Sequence, residues 1–397
     1  MFAVENIQAA LKAQGLDGWL LYDFRKLNVL AERVLGLDKK TSRRWAYFIP
    51  QSGTPKKLVH RIEMGTLDTL PGDKTVYLKW SEFEAGMASL VAGSRTVAME
   101  YSPKNGNPYI SRVDAGTVEL VRSFGVDVVS SGDLIQLFEA VWDDDQIAMH
   151  LAAAEVTNAA YDVAWRTIAH DIRTKGESDE LRVQKAILDH FTAHHVTTYS
   201  PPIVGVNAHS GDPHFETGSL PDTTIREGDF VLVDLWGKLD RPRAVYSDLT
   251  RTGFVGTTVP EKYVKVFNVV AAARDAAVQY VRDGLAAGRR VEGHEVDDAC
   301  RDVIEAAGYG EYYVHRTGHN IGQEVHGNGA HIDNLETHET RALIPRTCFS
   351  IEPGIYLPEF GVRSEIDVLI MPDGSVQVTG GPLQMEIVPI LAQPVIM

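Results

Sequence analysis

The sequence predicts an α+β protein in two domains: a smaller amino-terminal α/β domain and a larger carboxy-terminal domain with a mostly antiparallel sheet. Three observations carry this. The chain has 397 residues, enough for two domains with substantial cores. Over the first 140 or so residues helical and extended patterns alternate, whereas later strand patterns group together around two long helices without strict alternation. Between these textures stands Asp143-Asp144-Asp145, directly before a long Ala-rich helical pattern, where the helix dipole favours negative charge. The boundary is placed there, giving domains 1–142 and 143–397.

Taken in order, Phe2 to Gln14 reads as an amphipathic helix and Trp19 to Tyr22 as a short buried strand. Trp45 to Ile49, Lys57 to His60, Val76 to Trp80 and Val97 to Tyr101 read as strands, enriched in β-branched and aromatic residues. Val126 to Val129 precedes a helix that Ser131 or Asp133 would cap, ending near Trp142. Helices are then expected from Gln146 to about Arg173 and again after Gly176-Glu177-Ser178. Beyond them, Phe230 to Leu235, Val245 to Val255, Cys348 to Tyr356, Gly361 to Ile370 and Met385 to Leu391 are extended, around helices Glu261 to Asp283 and Glu295 to Ala307.

Composition excludes several classes. With 38 basic and 54 acidic side chains the formal charge is −16, which argues against a nucleic-acid surface. One basic cluster, Lys39, Lys40, Arg43 and Arg44, stands out and reads as a solvated loop. Cys300 and Cys348 are far apart and outside any C-x-x-C pair, as expected of reduced thiols in a cytoplasmic protein. The first eighteen residues mix acid and base with helical apolar spacing and do not read as a signal peptide. No run approaches eighteen apolar residues, so no membrane span is expected.

Four acids draw attention. Asp234 is read at the end of the apolar strand Phe230-Val-Leu-Val-Asp234, where it must be solvated, paired or metal-bound. Asp248 follows after thirteen intervening residues, a gap that suits a hairpin-like return bringing both carboxylates together. Glu352 ends Phe349-Ser-Ile-Glu352, with Pro353 stopping the ladder, and Glu365 enters the next strand. One such acid is ordinarily a turn residue. Four converging acids cannot all stay ionised without cations, and two divalent ions would neutralise them. Histidine adds to this: His294, His315, His319, His326, His331 and His338 fall within 45 residues, and the glycine-punctuated stretch from His315 through His326 reads as a loop. Those glycines lack the strand and helix context of a dinucleotide fingerprint.

Asp234, Asp248, His319, Glu352 and Glu365 occur in the order and surroundings of the pita-bread metallopeptidases: methionine aminopeptidase, aminopeptidase P and prolidase. Val-Asp234, Ser-Asp248-Leu-Thr-Arg-Thr, Thr-Gly-His319-Asn-Ile-Gly, Ile-Glu352-Pro-Gly-Ile-Tyr and Gly-Val-Arg363-Ser-Glu365 resemble that family's signature blocks. The first domain resembles the one that prolidases, aminopeptidases P and creatinases carry, and methionine aminopeptidases lack it.

The resemblance implies two divalent ions, Mn²⁺, Co²⁺ or Zn²⁺, shared by the five ligands, with Asp248 and Glu365 bridging. It implies a water activated between the ions to attack the scissile carbonyl, with Glu352 as ligand and proton shuttle. His214 matches the substrate-binding histidine, with His209 close enough to compete. His326 matches the donor to the substrate carbonyl. Arg363 resembles the arginine that supports the Glu365 ligand or meets a substrate carboxylate.

Three departures from the family pattern touch the surroundings of these residues. The Asp234–Asp248 gap is longer, Trp236-Gly-Lys238 replaces a commonly placed tyrosine, and the last block reads Ser-Glu365-Ile-Asp in place of Ile-Glu-Asp. The function expected is hydrolysis of Xaa-Pro dipeptides by a cytoplasmic homodimer acting on small peptides. Aminopeptidase P activity on longer peptides is the near alternative. A creatinase-like hydrolase and a non-catalytic binding module rank lower, because such relatives have lost the ligands.

Overall fold

A computed structural model describes residues 3–38 and 40–392; within it the chain divides into two compact units, Met1–Glu139 and Ala140–Met397. The expected start of the first helix at Phe2, and Lys39 of the basic cluster, lie outside the described residues.

The amino-terminal unit is a six-stranded mixed sheet flanked by helices. Its strands are β1 (Gly18–Asp23), β2 (Trp45–Pro50), β3 (Lys56–His60), β4 (Asp73–Tyr77), β5 (Thr96–Met99) and β6 (Asp127–Ser130), in the order β4-β3-β2-β1-β5-β6. β1 is buried along its whole length because both of its faces are covered. Trp19 and Leu21 pack in the cluster that includes helices α1 (Val4–Ala13) and α2 (Val29–Leu35). Leu20 and Tyr22 pack with α3 (Trp80–Val91) and α4 (Ala115–Ser123) on the other face. That two-sided burial is why β1 reads as a continuous apolar run.

Two expectations fail in this unit. Val76 to Trp80 is not one strand: β4 stops at Tyr77 and Trp80 opens α3. The Glu82 carboxylate accepts the N–H groups of Leu78 (2.8 Å) and Lys79 (3.1 Å), consuming donors a longer strand would have offered its neighbour. The helix expected to run to Trp142 splits into α5 (Gly132–Ile135) and a π turn, Gln136–Ala140. Ser131 makes no cap. Its hydroxyl donates to the buried Glu100 carboxyl (3.0 Å), which also takes bonds from Trp19 Nε1 and Asn28 Nδ2 (both 2.6 Å). Burial pushes the Glu100 carboxyl up from its ordinary pKa, and the three donors oppose that rise.

The carboxy-terminal unit opens with α6 (Asp144–Lys175), whose cap Asp143 accepts from Gln146 N (2.9 Å). Strand β7 (Glu177–Asp179) and helix α7 (Glu180–Ala193) follow, then β8 (Val196–Thr197), β9 (Ile203–Val206) and β10 (Thr224–Arg226), which pairs with β7. β11 (Phe230–Leu239) and β12 (Ser247–Phe254) form a long antiparallel pair with β9 on its far side. Val231, Val233, Leu235 and Leu249 face α6 and α7, so the alternate residues Asp234, Asp248 and Thr250 face away from them.

Helices α8 (Glu261–Ala286) and α9 (Gly293–Ala306) back a second sheet of β13 (Asn320–Ile321), β14 (Cys348–Ile351), β17 (Ile366–Ile370) and β18 (Val376–Thr379). The expected strands Cys348–Tyr356 and Gly361–Ile370 are each broken. β15 (Gly354–Tyr356) and β16 (Gly361–Arg363) form a separate ribbon, leaving Glu352-Pro353 and Ser364-Glu365 in the gaps. The gap before β17 is satisfied from outside the ladder: buried Arg274 of α8 donates to Ser364 Oγ (2.7 Å), and Glu365 N donates to Thr250 O (3.2 Å). The strand expected from Met385 to Leu391 shortens to β19 (Val388–Pro389), which pairs with β12. Both cysteines are free and buried. Among the described residues no helix is long and apolar enough to cross a membrane.

Candidate metal centre

Asp234 is not at a strand end. It is the fifth residue of β11, opposite Thr250, while Asp248 stands opposite Trp236. A register in which 234 faces 250 puts Asp248 two residues along on the same face, a diagonal neighbour within reach of Asp234. The second sheet supplies the glutamates from its gaps. His319 comes from the turn before β13, where Gly318 is required: a Cβ there would lie 2.0 Å from the Ser350 carbonyl oxygen. That close approach lets His319 N donate to Ser350 Oγ (3.0 Å) and Ser350 N to His319 O (2.9 Å).

The five residues converge. Ligand atoms of Asp248, His319 and Glu365 all lie within 4.8 Å of one another, and all three are buried. His319 Nε2 is 3.5 Å from Asp248 Oδ2 and 3.3 Å from Glu352 Oε1. Asp234 is tied in through Arg363, whose guanidinium donates to its Oδ2. Burial, reinforced by the neighbouring carboxylates, holds Asp248 and Glu365 well above the ordinary carboxyl range. Burial, aided by the Arg316 charge and opposed by Glu352, pushes His319 down, so its imidazole is neutral and able to ligate. Asp234 Oδ1 and Asp248 Oδ1 are buried without a protein hydrogen-bond partner. Orphaned oxygens among carboxyls that repel one another are what a cation site looks like before its cation is counted. An oxygen-rich set with one imidazole fits a divalent ion such as Mn²⁺, Co²⁺ or Zn²⁺.

Around this centre the structure adds residues that the sequence did not single out. Arg363 donates from Nε to Thr250 Oγ1 (3.0 Å) and from one terminal nitrogen to the Tyr356 hydroxyl (2.9 Å). Thr250 Oγ1 in turn donates to Glu365 Oε2 (2.7 Å). Arg363 therefore reaches Asp234 directly and Glu365 only through Thr250. The Tyr356 hydroxyl lies 2.7 Å from His315 Nε2. Behind Asp248, the buried Asp367 carboxylate accepts from Asp248 N (3.1 Å) and Ser247 Oγ (2.8 Å). These partners are second residues in cross-strand contacts, and only register and pairing reveal them.

The histidines divide. The His326 ring lies edge-on to His319, 4.2 Å between centroids, and its closeness to His319, burial and the Arg316 charge hold it well below the ordinary imidazole range. His214 is exposed. His209 is committed elsewhere: its Nδ1 sits 2.8 Å from buried Glu180, and its ring stacks on Phe215. His294, in α9, packs on His338, and His331 Nδ1 accepts from Asn320 N (3.1 Å), so these three serve the local architecture.

Residues 148–372 match the profile of Metallopeptidase family M24. A Mycobacterium tuberculosis protein named "Probable dipeptidase PepE" is 29% identical over 361 residues, covering 87% of this chain and 86% of that one. The Lactobacillus helveticus "Xaa-Pro dipeptidase" is 30% identical over 273 residues, 68% of this chain and 67% of its own. The crystal structure of dipeptidase PepE from Mycobacterium ulcerans superposes with a TM-score of 0.70 at 25% identity, covering 97% of this chain and 96% of that one.

Proposed function

The chain belongs to metallopeptidase family M24 and has its pita-bread fold, and on that premise we propose that it hydrolyses Xaa-Pro dipeptides with two divalent cations. One observation carries the reading: two aspartate oxygens stand buried and unpaired inside a group of acids that the protein cannot keep ionised by itself. Asp234, Asp248, His319, Glu352 and Glu365 would hold Mn²⁺, Co²⁺ or Zn²⁺. Bound there, the cations would polarise the scissile carbonyl and acidify a water molecule.

The protein's own groups divide the remaining work. The Glu352 side chain is 17% exposed against 4% for Asp248 and 10% for Asp234, so it is the acid best able to exchange protons with solvent. Ser350 Oγ donates to its Oε1 (3.0 Å), fixing the carboxylate so that Glu352 takes a proton from the attacking water and returns it to the departing imino nitrogen. His326, held neutral, offers an N–H to the substrate carbonyl. His214 binds substrate from its exposed position. Arg363, buried yet kept charged by Tyr356 and the surrounding acids, holds Asp234 in place.

Preference for proline at the second position is supported by the name of the Lactobacillus relative. A cytoplasmic homodimer belongs to the same reading, and sedimentation velocity reads out its dimeric part. The test is a substrate panel after chelation and reloading with Mn²⁺, Co²⁺ or Zn²⁺. Xaa-Pro dipeptides are expected to turn over fastest. Turnover confined to Xaa-Pro-Xaa peptides would transfer the assignment to aminopeptidase P activity, and equal turnover of Xaa-Ala would remove the proline preference.

A further inference from the structure

The amino-terminal unit has a concavity of about 850 Å³ lined entirely by its own residues. Its floor is aromatic and buried. Tyr77 packs 5.1 Å and Tyr22 6.4 Å from the Phe83 ring, and all three line the pocket. Arg44 lies across that floor with its Cζ 4.0 Å over Phe83, while its carbonyl accepts the Tyr77 hydroxyl (2.8 Å). The mouth is aromatic too: Trp80 is 70% exposed and Phe24 39%. Monomeric surfaces seldom leave two large rings open to water beside a cavity unless something covers them.

The charge at this pocket runs against the rest of the molecule. In a chain of net charge −16 it gathers Arg25, Arg43 and Arg44 against one lining acid, Asp114. Asp114 is already engaged, accepting from Thr117 N (2.9 Å) and Thr117 Oγ1 (2.7 Å) as the cap of α4. Glu63 accepts the backbone N–H groups of Ser42 and Arg43. Among the described residues none of the three guanidiniums has a carboxylate at ion-pair distance. The turn that brings Arg25 to the rim holds Arg25 and Lys26 at φ of 60° and 66°, in the left-handed region that residues with a side chain seldom adopt.

A guanidinium fork is matched to a carboxylate, and flat rings at the mouth are matched to an aromatic group. We propose that this pocket is a binding site for an aromatic carboxylate, with the acid paired to Arg44 and the ring against Trp80 and Phe24. None of the residues assigned to the metal centre lines it, and the proposal does not rest on the reaction assigned to them.

The probe is indole-3-propionate, titrated calorimetrically into the full-length protein, with indole-3-propionamide and butyrate as companions. The acid should bind in the submillimolar range, and both companions about tenfold or more weaker, because each lacks one half of the recognition. Arg44→Met keeps the stem and removes the charge; it should weaken binding about tenfold or more. Trp80→Ala, at a position too exposed to affect folding, should weaken it about threefold or more. Equal affinity for acid and amide would overturn the proposal. So would binding unchanged by Trp80→Ala and Arg44→Met, since it would then belong elsewhere, or an absence of binding at millimolar concentration.

Discussion

Two pairs of acids reach the same centre by opposite means. Asp234 and Asp248 stand inside an unbroken antiparallel ladder, on rungs of β11 and β12 that register fixes to one face. Glu352 and Glu365 stand where ladders fail, in the gaps between β14 and β15 and between β16 and β17. The short side chain is used where the backbone is regular and the longer one where it turns away. A ladder residue has its position set by pairing along the whole strand. A gap residue needs its own struts, here Arg274 on Ser364, Thr250 on Glu365 and Ser350 on Glu352.

This contrast can be broken most severely at the ladder. Asp248→Asn removes the charge from one of the centre's two aspartates with a buried unpaired oxygen and is expected to lower kcat/KM by about a thousandfold, with loss of bound metal. Metal analysis beside steady-state kinetics checks it. If metal content and rate are unchanged, the centre is misassigned. Next comes the gap: Glu352→Gln should retain shape and much of the metal but lower kcat by about a hundredfold or more, through loss of the proton shuttle. A fall in KM alone would contradict that role.

A strut comes third. Thr250→Val deletes the hydroxyl between Arg363 and Glu365 at nearly constant volume and should cost about 1–3 kcal/mol, read as a lowered Tm of the metal-free protein. If the gaps need no struts, Tm will not move. The smallest effect separates metal from protein. Asp248 and Glu365 have raised pKa values in the fold, so the native state binds protons the unfolded state has released. Without metal, stability is therefore present at mildly acidic pH and falls as pH rises through the shifted values, by at most about 1.4 kcal/mol per unit for each group. Metal, which requires the ionised forms, should flatten or reverse that fall. Chemical denaturation at several pH values, with and without Mn²⁺, decides it.

The ladder was also the more legible half. The apolar run Phe230-Val-Leu-Val before Asp234 announces a buried strand, and Pro353 announces where β14 must stop. What such a run does not carry is interruption from afar. Glu365 looks continuous with its strand until Arg274 and Thr250 take the neighbouring polar groups. Val76 to Trp80 fails for the same reason, since Glu82 takes the N–H groups that would have extended β4. Ligand residues were visible because their chemistry is rare beside apolar neighbours. Tyr356, Thr250, Ser350 and Asp367 were not, because nothing about a tyrosine, threonine or serine, or one more aspartate, is unusual until its partner across the sheet is known.

Arg363 has a consequence for where hydrogens can sit. A guanidinium only donates, so the Thr250 and Tyr356 oxygens that receive its bonds must turn their own hydrogens elsewhere. Thr250 is left pointing at Glu365 Oε2, and Tyr356 at His315 Nε2. His315 then carries its hydrogen on Nδ1, directed at the Arg316 carbonyl 2.6 Å away, in keeping with an imidazole whose pKa burial has lowered to about 3. One permanently charged side chain thus removes the rotational choice of two hydroxyls and the tautomeric choice of a ring. The residues behind the centre hold a single hydrogen-bond polarity, so they act as a fixed dielectric wall with no mobile proton to exchange with the reaction in front of them.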